Sequence, residues 1–471
     1  MPAMNAVVQR VLKKITPTYW ERKEIGRVLQ EVKQETEKAI RKKGMSYVLA
    51  GSFLRDTWLP DKKEFDIFLL FPESTSREQL EKGGLKLGKK IVTALKGKYT
   101  IAYAEHPYVR AHIKGFDVDI VPAYKVVSGD KIKSAVDRTP FHNKYLAEHL
   151  TVGMAPDVRL LKRFCKGLGI YGADTKTEGL SGYLAELLII HYGSFKGFVK
   201  KAAAWEAGRV FADMTNHYHR HPNELKPARE RFTGQPLIVI DPVDPKRNVA
   251  AALSPAHFIT LVNAASNFLK APSAEYFFPK QQKPSIVKLR AHFSRRKTRV
   301  LGLSFKRPDV IDDVLWPQLR KTARRLINLF SEYEFGVWGH AVFSDEREAL
   351  LFFELETPVL PVVRKLHGPP VFAHANATQF RHKYRKERLW VEEDHWVAEV
   401  TRKFREPDEL LTYILKQRQR DLQESGLGSY IAQAIAKHYR LMGEKELLSM
   451  AKKNQGFARF LQHYFEHRIR M

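Results

Sequence analysis

Cysteine is almost absent from this chain of 471 residues, in which Cys165 is the single thiol. One cysteine excludes a disulfide framework and a cluster of thiolate metal ligands. Cys165 lies within LLKRFCKGLG, a stretch with helical spacing, so we expect a small buried core residue and not a reactive thiol. Without disulfides, a reducing cytoplasm is the default compartment.

Long apolar runs are missing as well. No stretch of about 18 uninterrupted apolar residues occurs, so we expect neither a transmembrane helix nor a membrane partner. The first residues, MPAMNAVVQRVLKKITPTYWERKEIG, have the pattern of polar helices and lack the apolar centre and small-residue cleavage site of a signal peptide.

Acidic residues are outnumbered by basic ones. Lys and Arg total 80 against 52 Asp and Glu, a formal net charge of +28. A surplus of this size indicates a polyanionic partner, and nucleic acid is the first candidate once a membrane surface is set aside. For an individual lysine a solvated helix face is the commoner explanation, but the collective charge favours RNA.

Hydrophobic periodicity divides the chain into four parts. Strands around an amphipathic helix predict a mixed α/β domain over residues 1–148. Helical patterns dominate 149–271, where LIVI is one short strand. Strand, helix, strand, strand predicts a ferredoxin-like body over 272–365, and 366–471 is a basic, aromatic, mainly helical tail. The predicted fold class is therefore a multidomain α+β protein.

Two predicted strands carry paired acids on one face. Residues i and i+2 of a strand share a face, so Glu64 and Asp66 project together, and so do Asp117 and Asp119. Converging carboxylates repel one another unless a cation lies between them, and hard oxygen ligands suit Mg²⁺. A solvent-facing strand edge is the alternative for either pair alone. Two such strands together favour a site for one or two metal ions.

A phosphate-binding turn precedes the first acidic strand. Gly51 lets the backbone approach a ligand closely, and Ser52 offers a hydroxyl and an amide to phosphate oxygens. Arg55 follows, where its planar fork can meet a terminal phosphate. A Gly-Ser pair alone is a weak signal, but its combination with Arg55 and the Glu-x-Asp strand is a strong one.

This arrangement resembles the nucleotidyltransferase superfamily that includes DNA polymerase beta. Downstream, three segments resemble the archaeal, class I CCA-adding enzymes, which are tRNA nucleotidyltransferases: SAVDRTPFHNKYL, RLLKRFCKGLGIYGADTKTEGLSGYLAELLIIHYGSF and DPVDPKRNVAAALS. The likeness is clearest over about residues 45–272 and becomes vague after about 370. The Glu-Asp-x-x-Arg base-reading motif of the bacterial and eukaryotic class does not occur downstream, where EEDHW does not fit it.

The resemblance implies a role for each matching residue. The acids that would form a two-metal Mg²⁺ site and carry catalysis are Glu64, Asp66 and Asp119, with Asp117 as a supporting neighbour. The residues that would hold the triphosphate of ATP or CTP are Gly51, Ser52, Arg55, His142, Lys162 and Tyr171. Thr139 and Arg247 would help to read the incoming base. The domain over 1–148 would be a polymerase-beta-like catalytic head, and the helical domain would complete the nucleotide site.

Each of these roles has a plainer alternative. Lys162 on a basic helix is ordinarily solvated, Tyr171 can pack against a helix end, and His142 can be structural. Arg247 can pair with Asp241 or Asp244 and so be partly structural.

The implied reaction is the template-independent addition of C, C and A to the 3′ end of tRNA, with release of pyrophosphate. The basic, aromatic segments FRHKYRKERLW and HRIRM would contact the tRNA. One alternative is a poly(A) or oligoadenylate polymerase of the same fold, and another is a non-catalytic RNA-binding protein. The sequence leaves the oligomeric state open, with a homodimer among the choices.

Overall fold

A computed structural model describes residues 2–41, 44–103, 105–129, 131–280 and 283–466, without the side chains of residues 2 and 3. The chain divides into two compact units, of which the first ends at Lys280. The tail segment HRIRM, residues 467–471, lies outside the described residues. Among the described helices, none combines the length and the apolar character needed to cross a bilayer.

The first unit begins with two helices and a mixed five-stranded sheet. The elements are α1 (Pro2–Ile15), α2 (Tyr19–Ile40), β1 (Ser46–Ala50), β2 (Glu64–Phe71), α3 (Arg77–Ala94), β3 (Lys98–Tyr103), β4 (Pro107–Ile113) and β5 (Phe116–Tyr124). The sheet order is β1-β2-β5-β4-β3, with β2 and β5 parallel and the other neighbours antiparallel. Helices α2 and α3 share a core with the apolar residues of this sheet.

Strand alternation decides which face of this sheet is buried. Phe65 and Ile67 of β2 and Val118 and Ile120 of β5 are at most 1% exposed and belong to the core. The acids between them therefore lie on the opposite face, as the period of two predicts.

A helical part with a small sheet completes the first unit. The elements are α4 (Thr139–His149), α5 (Ala155–Gly167), α6 (Gly182–Tyr192), α7 (Phe195–Ala202), β6 (Val210–Asp213), α8 (His217–Arg220), α9 (Pro222–Arg231), β7 (Leu237–Asp241), β8 (Asp244–Asn248) and α10 (Pro255–Lys270). The sequence predicts one strand, LIVI, whereas the structure pairs β7 with β6 and β8. A fully buried strand needs partners for its backbone groups on both sides, and β7 is buried throughout.

The core of this helical part decides where the first unit ends. Phe277 packs against Phe164 with ring centroids 5.5 Å apart, so the unit continues past the predicted boundary at 271. Val11 of α1, a helix predicted in the head, is buried in the same core. Cys165 is fully buried there, and burial raises the pKa of its thiol to about 12, which confirms a structural cysteine.

The second unit is built around a ferredoxin-like sheet. Its elements are α11 (Ile286–Arg296), β9 (Arg299–Lys306), α12 (Asp312–Glu332), β10 (Val337–Ser344), β11 (Glu348–Leu355), β12 (Val363–Pro370), α13 (His374–Lys383), β13 (Arg388–Glu392), β14 (His395–Thr401), α14 (Pro407–Leu415), α15 (Gln419–Glu424), α16 (Ser429–Lys437), β15 (Tyr439–Met442), α17 (Glu444–Lys453) and α18 (Gln455–Glu466). The antiparallel order β10-β11-β9-β15 confirms the predicted fold of the body.

The tail is not separate from that body. Its strand β15 pairs with β9 and supplies the fourth strand of the ferredoxin-like sheet. The tail is mainly helical, as predicted, but it also contributes most of a three-stranded sheet in the order β12-β14-β13.

Candidate active site

Four acids lie on one face of the two parallel strands. β2 pairs with β5 so that Asp66 lies opposite Asp119 and Glu64 lies opposite Asp117. This register brings together carboxylates that are far apart in sequence. The side chain of Asp117 is 72% exposed, against 48% for Glu64 and 23% for Asp119. The predicted catalytic acids therefore share one site.

The carboxylates in this site affect one another's ionisation. Burial raises the pKa of Asp66 to about 7, and the negative charges of Asp119 and Glu64 add to the rise. Lys62 and Arg110 act in the opposite direction. Burial is the largest cause of the rise, and the neighbouring carboxylates add to it against the two cations.

Two basic side chains of the chain itself hold the outer carboxylates. Arg110 donates from Nε and Nη2 to both oxygens of Asp119, each at 3.0 Å, and Lys62 forms an ion pair with Glu64. Among the described residues, no three His, Cys, Asp or Glu side chains converge closely enough to ligate a metal ion in this conformation. The chemistry of the donor set fits a hard divalent cation, because it consists of carboxylate oxygens with unbalanced charge. Such a cation would compete with Arg110 and Lys62.

A sharp turn leads from β1 to the phosphate-binding segment. Gly51 has a φ of 122°, in the region that favours glycine, and an added Cβ would lie 3.3 Å from Cα of Phe65. Residues Ser52–Arg55 then form one 3₁₀ turn, which the backbone amide of Thr57 closes by donating to the carbonyl of Ser52. Gly51 is therefore required by the backbone.

Arg55 contacts the buried carboxylate of Glu186, a residue that is not among the predicted site residues. Its Nη2 donates to Oε2 of Glu186 at 2.9 Å, and its Nη1 donates to Asn143 at 3.2 Å. Its Nε is buried and has no hydrogen-bond partner among the described residues. Oε1 of Glu186 accepts from the hydroxyl of Thr57 and, at 3.2 Å, from Nζ of Lys162. One carboxylate thus joins two of the predicted triphosphate cations.

Lys162 and Tyr171 meet at the start of α6. A Cβ added to Gly182 would lie 3.1 Å from Oη of Tyr171 and 3.7 Å from Nζ of Lys162. The Lys162 side chain is 3% exposed, so it is not a solvated lysine. Burial lowers the pKa of Lys162, an effect that the charge of Glu186 opposes. Burial raises the pKa of Tyr171, which therefore keeps its proton.

A second buried carboxylate, Asp241, gathers three more side chains. Its Oδ2 accepts from Nε2 of His142 at 2.9 Å and from Nη1 of Arg247 at 2.6 Å. The hydroxyl of Tyr183 donates to Oδ1 at 3.3 Å, and its ring stacks on His142 with centroids 4.2 Å apart. His142 and Arg247, predicted to bind different parts of the nucleotide, therefore share one acceptor.

The remaining predicted residue, Thr139, follows Arg138, which lines a cavity. Thr139 is the first residue of α4, three residues before His142, so the two lie on one side of the helix. Arg138, its neighbour, pairs with Asp244 at 2.8 Å. Arg138, Asp244 and Arg247 line a cavity of about 730 Å³, a volume in the range of small-ligand sites.

A sequence signal for Glu186 did exist. It is the only charged residue in GYLAELLII, a run that is apolar on every side of the helix. A carboxylate in a helix buried all round requires cationic partners. What the sequence does not indicate is which cations those are.

Comparisons with known proteins agree with this geometry. Residues 13–142 match the nucleotidyltransferase domain, residues 156–278 match the second domain of tRNA nucleotidyltransferase, and residues 296–444 match the C-terminal domain of CCA-adding enzymes. The fold and the site define a nucleotidyltransferase with a polymerase-beta-like head. The chain belongs to the family of CCA-adding enzymes, as its relatives show.

Those relatives cover nearly the whole chain. The chain is 39% identical to the CCA-adding enzyme of Methanosarcina mazei over 461 residues, which is 96% of each protein. It is 38% identical to the CCA-adding enzyme of Methanocaldococcus jannaschii over 390 residues, 81% of this chain and 85% of the relative. A solved cytoplasmic RNA terminal U-transferase aligns with a TM-score of 0.44 at 15% identity, over 58% of this chain and 96% of that one.

Proposed function

We propose that this chain adds C, C and A in turn to the 3′ end of tRNA from CTP and ATP. The observation that carries the proposal is the register of β2 and β5, which places Asp66 opposite Asp119. Membership of the CCA-adding family supports tRNA, CTP and ATP as the substrates. Cytoplasmic localisation and a homodimer stay predictions from the sequence.

We assign one task to each part of the chain. Catalysis belongs to the head over 1–148, and the helical domain over 149–271 completes the nucleotide site. The ferredoxin-like body over 272–365 supports the tail over 366–471, which binds tRNA.

Mg²⁺ is the cation proposed for Glu64, Asp66 and Asp119. When bound, Mg²⁺ lowers the pKa of an attacking hydroxyl and neutralises charge on the phosphates. The register of β2 and β5 supports this assignment, because it puts these carboxylates on one face, where a cation would favour their ionised forms. These residues would hold the cation through oxygen atoms only, as Mg²⁺ prefers.

The triphosphate is held by cations and hydrogen-bond donors from the head and from the helical domain. Arg55, Lys162, His142 and Tyr171 contribute charge and donors, and the buried Nε of Arg55 still lacks a partner. The 3′ oxygen of tRNA attacks the α-phosphorus and forms a new O–P bond. The bond from that phosphorus to the bridging oxygen breaks, and its electron pair leaves with pyrophosphate. Positioning and charge stabilisation lower the barrier without a covalent enzyme intermediate.

Basic and aromatic groups on the second unit support the tRNA-binding role. The guanidinium of Arg381 lies 5.1 Å from the ring centre of Trp396. Lys365 and Arg388 lie over Trp390 at 5.8 Å and 5.6 Å. Such pairs offer both charge for phosphates and surfaces for base stacking.

A single gel assay tests the reaction. A tRNA transcript that lacks CCA is incubated with Mg²⁺ and CTP, ATP or both, and product length is read at single-nucleotide resolution. We expect two added residues with CTP alone and three with both nucleotides. Asp66→Ala should add none. Glu78→Ala removes an exposed acid paired with Lys82 in the same domain, so it should behave as wild type and control for the loss of an acid.

Other products would change the conclusion. A long ladder with ATP alone would identify a poly(A) or oligoadenylate polymerase. Tight, salt-sensitive tRNA binding without extension would identify a non-catalytic RNA-binding protein.

A further inference from the structure

Glu186 is a charged residue in an otherwise apolar helical run. It lies in α6, and its side chain is 2% exposed. An ionised carboxylate at this depth is costly unless cations and donors surround it. Its presence in the core of the first unit therefore needs a physical explanation.

The groups that bind Glu186 all come from the phosphate-binding side of the unit. Arg55 donates to Oε2, while Thr57 and Lys162 donate to Oε1. Nζ of Lys162 also donates to the carbonyl of Thr57 at 3.2 Å. The carboxylate thereby connects the 3₁₀ turn after β1 with helix α5.

The terminal nitrogens of Arg55 have hydrogen-bond partners, but its Nε has none within the part of the chain that the structure describes. Glu186 and Asn143 bind its two terminal nitrogens, whereas its buried Nε lacks a partner among the described residues. Two positive charges, Arg55 and Lys162, face one negative charge, so the cluster keeps a positive excess. A positive excess with an unmet donor suits an anionic ligand.

We propose that Glu186 is a positioning residue for the triphosphate, because its carboxylate sets the spacing and direction of Arg55 and Lys162 before the nucleotide binds. This inference rests on the triphosphate roles proposed above for those two cations. Glu186 does not contact the substrate and acts through the two side chains that do. Pre-set donors bind an anion more tightly than donors that must first be ordered.

Lys162 and Glu186 each favour the ionised form of the other. Burial lowers the pKa of Lys162, and Arg55 and Lys62 lower it further, whereas Glu186 acts against all three. Burial would raise the pKa of Glu186, but the neighbouring cations outweigh it and bring that pKa below its ordinary value. Tyr171, whose hydroxyl lies beside Gly182 as Nζ of Lys162 does, remains neutral. Glu186 thus stays ionised and helps Lys162 to keep its proton.

A buried ion pair that only stabilises the fold makes a different prediction, and the second unit offers a matched case. Glu354 is fully buried and accepts hydrogen bonds from Arg296, from Thr298 at 2.6 Å and from Tyr464 at 2.8 Å. Glu354→Gln therefore measures how the loss of such a carboxylate affects stability alone.

The test compares wild type, Glu186→Gln, Glu186→Asp and Glu354→Gln as full chains. It measures KM and kcat for CTP and ATP at saturating tRNA, together with Ki for inorganic tripolyphosphate, which has neither base nor sugar. For Glu186→Gln we expect nucleotide KM and tripolyphosphate Ki to rise together by about tenfold or more. The KM for tRNA should change by less than about twofold, as should all constants of Glu354→Gln.

The pH dependence of the nucleotide KM distinguishes a positioning role of Glu186 from a role in packing alone. In Glu186→Gln the nucleotide KM should rise more steeply than in wild type between about pH 7 and about pH 9, because Lys162 loses its proton more readily without the anion. Glu186→Asp keeps the charge, so it should restore the wild-type pH profile even where KM remains raised.

The proposal is overturned if Glu186→Gln lowers thermal stability as Glu354→Gln does but leaves KM, Ki and the pH profile at wild-type values. If Glu186→Gln does not fold, Glu186→Asp takes its place, because the shorter side chain moves the carboxylate away from Arg55 and Lys162, and an unchanged KM and Ki there overturn the proposal equally. A wild-type chain that adds no nucleotide and does not bind tripolyphosphate refutes the proposed function itself. That outcome is visible before any variant is made.

Discussion

Asp241 accepts a hydrogen bond from Nε2 of His142 at 2.9 Å, across 99 residues of sequence. Burial acts to raise the pKa of Asp241, but His142, the amide of Val243 and Arg247 outweigh it and hold that pKa below its ordinary value. Because Asp241 is ionised, Nε2 of His142 is the donor. The carboxylate therefore orients a proposed phosphate-binding residue and a proposed base-reading residue together.

Asp241→Asn should weaken the binding of both nucleotides. His142 and Arg247 both bind Oδ2, and an amide oxygen there would accept from them without a charge, while the amide nitrogen in place of Oδ1 would face the backbone amide of Val243, which is itself a donor. We expect KM for CTP and for ATP to rise by about tenfold, measured at saturating tRNA. Asp244→Asn, which removes the charge paired with Arg138, should raise KM less, and equal increases would contradict the role of Asp241.

Asp66 should make the stability of the metal-free protein depend on pH. Its folded pKa of about 7 exceeds the ordinary value of 3.8, so between these values the folded state binds more protons than the unfolded state. The contribution of Asp66 to stability is therefore greatest below about pH 4, falls as the pH rises to about 7 and then levels off. The loss is at most about 4 kcal/mol, since one pKa unit corresponds to about 1.4 kcal/mol.

Asp66→Asn should remove that loss. We expect its free energy of unfolding in urea with a chelator to exceed that of wild type by about 1–3 kcal/mol at about pH 8, and the difference to shrink toward about pH 5. The same variant should add no nucleotide to tRNA. Parallel pH profiles of wild type and variant would show that Asp66 does not hold a proton in the folded protein.

Arg110 should compete with a divalent cation for Asp119. Arg110 binds both carboxylate oxygens of Asp119, so its removal should make cation binding easier. The measured quantity is the Mg²⁺ concentration that gives half of the maximal thermal stabilisation without nucleotide. We expect Arg110→Gln to lower that concentration by about threefold or more. Arg77→Gln, which breaks an exposed pair with Glu81 in the same domain, serves as the control. An unchanged midpoint for Arg110→Gln would show that the pair does not oppose cation binding.

Arg381 on the tail should contribute to tRNA binding through its charge. Arg381→Gln is expected to reduce the slope of log Kd against log salt by about one and to weaken binding to all tRNAs alike. The nucleotide KM should not change. Arg209→Gln removes an exposed arginine of the first unit and should leave the slope near its wild-type value. A filter-binding titration at several salt concentrations decides between these outcomes.

Local periodicity was enough to predict much of this protein. The alternation in EFDIFLLF and FDVDIV placed Glu64, Asp66 and Asp119 on the polar faces of their strands, because the direction of a strand side chain depends only on its position. The first three strands of the ferredoxin-like sheet followed from the same kind of pattern. The fourth, β15, has four residues and follows a long insertion, so no local signal assigned it to that sheet.

The sequence by itself determined which residue types are available and which face of each element they occupy. Only the tertiary structure decided that Asp66 faces Asp119, that Glu186 joins Arg55 to Lys162, and that Asp241 rather than Asp244 binds Arg247. The physical reason is that strand register and ion pairing between distant segments depend on how whole elements pack. An acid in an apolar helical run predicts that a cation lies beside it in the folded protein, but the sequence does not indicate which cation that is.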